Sequence, residues 1–135
     1  MPRKILSLLV VLLAAALPLA QAQEEPSPSK LTSAFIAKSY ANPLYVAAHR
    51  GAQDAAKEYS TEKGIPVEVL VLTPTGEDPA QQAERIGKAV EDGAHAIAVA
   101  ASEAAPVSKA IDDAVAGGVA VMTFDVDLPE SARFA

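Results

Sequence analysis

The chain has 135 residues, with 17 acidic against 11 basic side chains, a formal net charge of −6 and no cysteine. The missing cysteine excludes a disulfide framework, a thiol nucleophile and a lipid anchor carried on an N-terminal Cys. The acidic balance, without clusters of Lys and Arg, argues against nucleic acid as a partner, because neutralising phosphates requires such clusters.

The first segment carries Arg3 and Lys4, an apolar stretch from Ile5 to Leu19 and a small-x-small pattern at Ala20-Gln21-Ala22. This is the layout of a secretory signal peptide. A membrane anchor is the competing reading, but the stretch is interrupted by Pro18 and falls short of the roughly 20 residues that a spanning helix needs. Residues 1–22 are therefore expected to be a cleaved signal, with an exported product. Residues 23–30 are rich in Pro, Ser and Glu, lack periodic apolar positions and form an expected flexible leader. The remainder, 31–135, has room for one small domain of about 100 residues.

From Leu31 onward two periods alternate. Leu31 to Ala37, Val67 to Leu72, Ala96 to Ala100 and Val119 to Phe124 are short, nearly continuous apolar runs. Such runs predict strands of a parallel sheet buried on both faces. Between them lie three helical patterns. Pro43 to Lys63 places Leu44, Ala47, Ala48, Gly51, Ala52, Ala55 and Tyr59 at spacings of three and four, with Asn42 as N-cap, Pro43 at the first helical position and Gly64 as terminator. The second begins at Asp78-Pro79, has Gln81 at the capping-box position and carries Ala83, Ile86 and Val90 before Gly93. The third carries Val107, Ala110, Ile111, Ala114 and Val115, has Pro106 in its first turn and ends at Gly117-Gly118.

Four strands alternating with three helices and joined by short connections predict an α/β fold, a doubly wound parallel sheet ordered 2-1-3-4. The winding reverses between the first and third strands, and in open sheets a ligand sits at the carboxyl ends of the strands beside that reversal. The loop from Lys38 to Tyr45, the turn from Ala100 to Glu103 and the segment from Asp125 to Leu128 all fall there.

These segments offer hydrogen bonding more than catalysis. Asn42 supplies donor and acceptor, Asp125 two acceptor oxygens, Ser102 a hydroxyl, Lys38 a mobile cation and Tyr45 an aromatic face with a phenol. A polyol matches that set, since its hydroxyls need bifunctional partners and its ring face benefits from an aromatic surface. Each residue also has a plainer use. Asn42 can cap its helix, Asp125 can cap the next segment or pair with Arg133, Lys38 can be a solvated charge, and Asp127 can serve turn chemistry beside Pro129. His49 and His95 have no ligand-spaced partners and read as structural or solvent-facing.

Other motif classes are missing. No glycine-rich phosphate loop comes after the first strand and there is no Gly-x-Ser-x-Gly elbow. The pairs Asp112-Asp113 and Glu91-Asp92 lie on helices, where adjacent carboxylates point apart, so they read as solvation rather than as a metal or acid/base pair.

The run FIAKSYANPLYVAAHRGAQDAAKE from Phe35 to Glu58, Asp78-Pro79-Ala80-Gln81-Gln82, and GVAVMTFDVDLP from Gly118 share order and spacing with one family. They resemble the N-terminal lobe of type I periplasmic sugar-binding proteins of the ribose-binding family, the soluble receptors of sugar ABC transporters. The resemblance implies a partial N-terminal lobe over 31–135, carrying half of an interlobe cleft for a monosaccharide, with no enzymatic activity, cofactor or metal. It implies a membrane permease as partner and a monomer for the full-length form. The ligand contacts it implies are Asn42, Leu44, Tyr45, Ser102 and Glu103 in the loop from Ala100 to Glu103, and Asp125; Lys38 and Asp127 join them as candidate ligand residues from their place at the strand ends. The chain departs from ribose receptors in having Ala100, Val126 and Leu44 where they commonly have Asn, Arg and an aromatic, which argues against ribose itself. Lys38 and the Asp125-x-Asp127 pattern also resemble receptors for a furanosyl quorum signal, and a sensory ligand-binding domain is the further alternative.

Overall fold

The computed structural model describes residues 28–102 and 105–134. The expected signal peptide, the leader up to Ser27, and Glu103 lie outside the described residues. The elements run β1 (Leu31–Ile36), α1 (Pro43–Lys63), β2 (Val67–Val71), α2 (Pro79–Glu91), β3 (Ala96–Val99), α3 (Ala105–Ala116) and β4 (Ala120–Thr123). All strands are parallel and lie in the order β2-β1-β3-β4, as the alternation of periods predicts. The register is continuous across the middle of the sheet: Phe35 faces Val71 on one side and Ala98 on the other, and Ala98 faces Met122.

Local chemistry sets the helix limits. Asn42 Oδ1 accepts from Leu44 N at 3.0 Å, and Gly64 closes α1 with φ of 68°, a left-handed conformation that costs glycine nothing. Asp78 Oδ1 accepts from Ala80 N at 2.9 Å and Gln81 N at 3.1 Å. Gln81 Nε2 donates to Asp78 Oδ2 at 2.8 Å, so this cap is locked through the carboxylate and not through the cap's own backbone. These bonds hold the Asp78 carboxyl below its usual range, the amide of Gln81 contributing most.

The two faces of the sheet differ. Ala34, Ile36, Ile97, Val99 and Val121 pack with Ile86 and Ala89 of α2 and with Val107, Ile111 and Ala114 of α3 into one core cluster. On the opposite face Phe35, Ala37 and Ala100 pack with Tyr45, and Ala48, Ala52, Val69 and Phe124 close around them. Burial on both faces, expected from the apolar runs, holds only in part. Because α2 and α3 share one side while α1 lies alone over β1 and β2, Ala96 and Ala98 are partly open and Ala120 and Met122 are exposed. The α1 stripe is corrected too. Leu44, Ala47, Gly51, Ala55 and Tyr59 are exposed, and the inward face runs through Tyr45, Ala48, Ala52 and Ala56. The Tyr45 phenol reaches Asp125 in the turn after β4, and the other inward positions of the helix are filled by alanines that the periodicity alone could not tell from outward ones.

Ile111 has no exposed surface and joins α3 to the strands. Ile111→Ala is expected to lower the unfolding free energy by about 2–5 kcal/mol, the usual cost of a cavity at a packed isoleucine. Urea denaturation would show this as a lower midpoint with unchanged slope.

Candidate ligand-binding site

Where β1 ends, the chain leaves the sheet and its peptide groups need new partners. Ala37 N donates to Thr73 Oγ1 at 2.9 Å, Tyr40 N to Pro74 O at 2.8 Å, and Ser39 Oγ to Thr75 O at 3.0 Å. The loop after β1 is thus tied to the loop after β2. Lys38 Nζ stands 3.7 Å from Glu77 Oε1 across the same seam, with about a fifth of its side chain exposed.

At β4 the backbone turns sharply. Val126 N donates to Phe124 O at 2.7 Å, closing a three-residue turn around Asp125, whose φ of 62° is unusual for a residue with a Cβ. The Tyr45 hydroxyl donates to Asp125 Oδ2 at 2.9 Å. Burial of Tyr45, reinforced by the Asp125 carboxylate, pushes the phenol up to about 12. Its ring stands edge-on to Phe124, with centroids 6.5 Å apart, and Phe124 in turn packs on Phe35 at 5.2 Å. Asp125 is exposed, while the phenol that holds it is 6 % exposed.

Asp127 belongs to a different arrangement. Arg133 grips both of its carboxylate oxygens, the Nη2 to Oδ2 contact being 2.6 Å, and Oδ1 also accepts from Thr123 Oγ1 at 2.7 Å and Leu128 N at 2.8 Å. These contacts hold the Asp127 carboxyl down at about 2, Arg133 contributing most. The Arg133 pairing that the sequence offered to Asp125 is thus made by Asp127.

Ser102 comes just after β3 and is 2 % exposed. Its amide donates to Gln82 Oε1 at 2.7 Å, and its hydroxyl is buried with no partner among the described residues. Gln82, absent from the expected site, is fully buried and also donates from Nε2 to Ala37 O at 3.1 Å and Ala100 O at 3.0 Å. A signal for it existed: Gln82 stands four residues before Ile86 on the buried face of α2, where an amide needs partners in the core. Tyr40 is the second residue not anticipated, half exposed in the β1–α1 loop.

The structure therefore brings Lys38, Asn42, Leu44, Ser102 and Asp125 to the carboxyl ends of β1, β3 and β4. Tyr45 lies behind them as a support for Asp125, so its ring is not an open platform. Leu44 and Tyr40 are exposed at the rim. The two histidines are structural: His95 Nδ1 accepts from Thr32 N at 3.1 Å, and His49 packs its ring 5.8 Å from Phe35. Among the described residues no group of His, Cys, Asp or Glu is arranged to hold a metal ion, and no helix is long and apolar enough to cross a membrane. A groove of about 490 Å³ lies away from the strand ends, along α1 and the edge strand β2 between Lys57 and Val67, and is too open to be a small-molecule pocket by itself.

Residues 33–135 match the family model of the periplasmic binding protein domain. The chain belongs to that family. No curated protein matches it. Among solved structures it is similar to LsrB from Clostridium saccharobutylicum in complex with AI-2, at 33% identity and a TM-score of 0.60 over 76% of this chain and 30% of that one. It is also similar to a sugar ABC transporter protein from Actinomyces odontolyticus, at 30% identity and a TM-score of 0.68 over 78% of this chain and 32% of that one. A solute-binding protein from Burkholderia graminis, solved with D-arabinose, matches at 25% identity and a TM-score of 0.68 over 78% of this chain and 35% of that one. The chain thus spans about a third of the length of these relatives.

The contrast between the two carboxylates can be measured. Tyr45→Phe removes the donor to Asp125 and is expected to cost about 1.5–3 kcal/mol, the range for a hydrogen bond to a charged group; thermal or urea denaturation measures it, and an unchanged midpoint would show that the bond carries nothing. Asp127 has a folded value of about 2, below the usual value of about 4 for an unfolded chain, so its contribution is present above that unfolded value and is lost as pH falls toward 2. Asp127→Asn should flatten this part of the stability profile between about pH 5 and 2, measured by denaturation at stepped pH and compared with the wild type.

Proposed function

We propose that this chain forms part of the solute-binding component of a sugar ABC transporter and contributes one side of a monosaccharide cleft. The observation that carries this reading is the convergence of Asn42, Ser102 and Asp125 at the strand ends beside the winding reversal, the place where open α/β sheets take ligands. Exposed on a strained turn and supported by Tyr45, Asp125 is suited to accept hydrogen bonds from a pair of sugar hydroxyls. Ser102 brings a buried hydroxyl that has no hydrogen-bond partner among the described residues. Lys38 and the rim residues Tyr40 and Leu44 would border the ring. The occupied carboxylate of Asp127 fits a role in shaping the β4 turn, with ligand contact left to Asp125.

In this reading the protein is exported, acts in the periplasm, needs no cofactor and performs no chemistry on its ligand. A second lobe would supply the opposite wall, and closure about a hinge would present the loaded form to a membrane permease. A receptor for AI-2 is the second reading, favoured by the 33% identity to LsrB, a level above that of the arabinose-bound relative.

Calorimetric titration of the protein expressed from its own gene with D-arabinose, D-ribose, L-rhamnose and AI-2 tests both readings. Asp125→Ala is expected to weaken the best ligand by about 2–5 kcal/mol, the usual effect of truncating one partner of a charged hydrogen bond in a binding site. An affinity within about twofold of wild type would remove Asp125 from the site. Preference for AI-2 over every sugar would replace the first reading by the second.

A further inference from the structure

The last ladder bond between β1 and β3 at their carboxyl ends runs from Ala100 N to Ile36 O at 2.9 Å. Beyond it the two strands part toward different loops. Ala37 O, Ala100 O and Ser102 N are left without a ladder partner in a region where Ala37, Ala100 and Ser102 are all buried. Water cannot serve them cheaply there, and each unpaired group would cost on the order of 1–3 kcal/mol.

The side chain of Gln82 meets all three. Its carbonyl oxygen accepts from Ser102 N at 2.7 Å, and its amide nitrogen has two hydrogens for the two carbonyls at 3.1 and 3.0 Å. One acceptor and two donors are required, and among side chains of this length only the primary amide supplies them together. Methionine has neither donor, and glutamate has no donor when ionised. We propose that Gln82 is a positioning residue of the binding crevice: its amide replaces the rung that β1 and β3 lose where they diverge, and so fixes the departure of the Lys38 loop and the backbone of Ser102.

The two loops set in this way carry candidate ligand groups on both sides of the winding reversal. Lys38 comes directly after Ala37, and the Ser102 amide is itself held, while the serine hydroxyl has no partner among the described residues. The consequence for ligand affinity rests on the binding function proposed above, whereas the clamp itself does not. The side-chain hydrogen bonds of Gln82 go to backbone groups, so it acts through the segments that it joins.

Backbone amide exchange, monitored by nuclear magnetic resonance on the whole chain, tests the clamp. Gln82→Met should speed exchange at Ser102 about tenfold or more, as the loss of a buried hydrogen bond implies, relative to Ala100, whose bond to Ile36 is untouched. Ile86→Val, one turn along the same buried face, should leave the ratio of Ser102 to Ala100 exchange as in the wild type. Gln82→Glu adds a reading that packing loss cannot mimic. A protonated carboxyl can accept from Ser102 N and donate to one carbonyl, whereas the carboxylate would face two carbonyl oxygens in a buried site, so its folded pKa is raised above the unfolded value. Protection of Ser102 should therefore be present below about pH 4, the unfolded glutamate range, and disappear as pH rises through the folded value.

Unchanged Ser102 protection in Gln82→Met, or equal loss at Ser102 and Ala100, would overturn the clamp, and should that variant not fold, the pH dependence of Gln82→Glu decides. Titration of Gln82→Met with D-arabinose, beside wild type and Ile86→Val, tests the positioning role, with about tenfold weaker binding expected in the first variant alone. Loss of Ser102 protection with wild-type affinity would overturn the positioning role. If wild type bound neither a sugar nor AI-2, the binding function would fail, and the exchange experiment would still decide whether Gln82 is the clamp.

Discussion

A parallel sheet can pair its backbone only as far as its strands run together, and the point of divergence between β1 and β3 is where this fold meets that limit. Beyond Ile36 and Ala100 the peptide groups face inward, too buried for solvent, and need fixed partners. Gln82 from α2, Thr73 from the segment after β2 and the Ser102 amide provide or receive those bonds. Ala37 N, Ala37 O, Ala100 O and Ser102 N are thus paired at the crevice floor without using the side chains of the candidate ligand residues above it. The same divergence that opens the candidate crevice creates the need for the buried amide.

The second constraint is electrostatic and lies at β4. Asp125 and Asp127 are two residues apart, yet their surroundings give them different work. Asp127 is gripped by Arg133 and capped by Thr123 and Leu128 N, which fixes the path of the chain after the strand. Asp125 has one phenol as its partner among the described residues and stands on a left-handed turn that only a few residue types accept. Arg133 also brings the next segment back to the sheet, where Phe134 N donates to Val121 O at 2.9 Å and occupies part of the outer edge of β4. A carboxylate gripped by Arg133 thus steadies the turn that displays the more open carboxylate of Asp125.

The sheet itself is unevenly covered. Two helices packed on each other bury one face, and one helix rich in alanine shields half of the other, leaving Met122 and Ala120 open. Small residues suit α1 because the helix can lie close to β1 and β2, with Tyr45 as its one fully buried large side chain. The core that holds the strand ends in place is therefore the α2–α3 side, and the α1 side serves mainly to deliver the Asn42 cap, Tyr45 and the loop before them.

The sequence by itself determined the order of elements, the parallel topology and most helix limits, because those depend on local chemistry: apolar runs of strand length, Asn-Pro and Asp-Pro caps, and glycines just past the helix ends. It also located the strand-end segments, since connectivity alone puts them on one edge of the sheet. Only the tertiary structure decided which face of α1 turns inward, because alanines alternate too freely for their period to choose, and the inward face is the one whose Tyr45 packs on the sheet and bonds Asp125 across eighty residues of chain. It likewise decided that Asp127 takes Arg133, that Tyr45 supports the site from behind, and that Gln82 fills the gap between β1 and β3. Hydrogen-bond partners brought together from distant segments leave no periodic trace, so a buried polar residue shows its role only once the groups around it are in place.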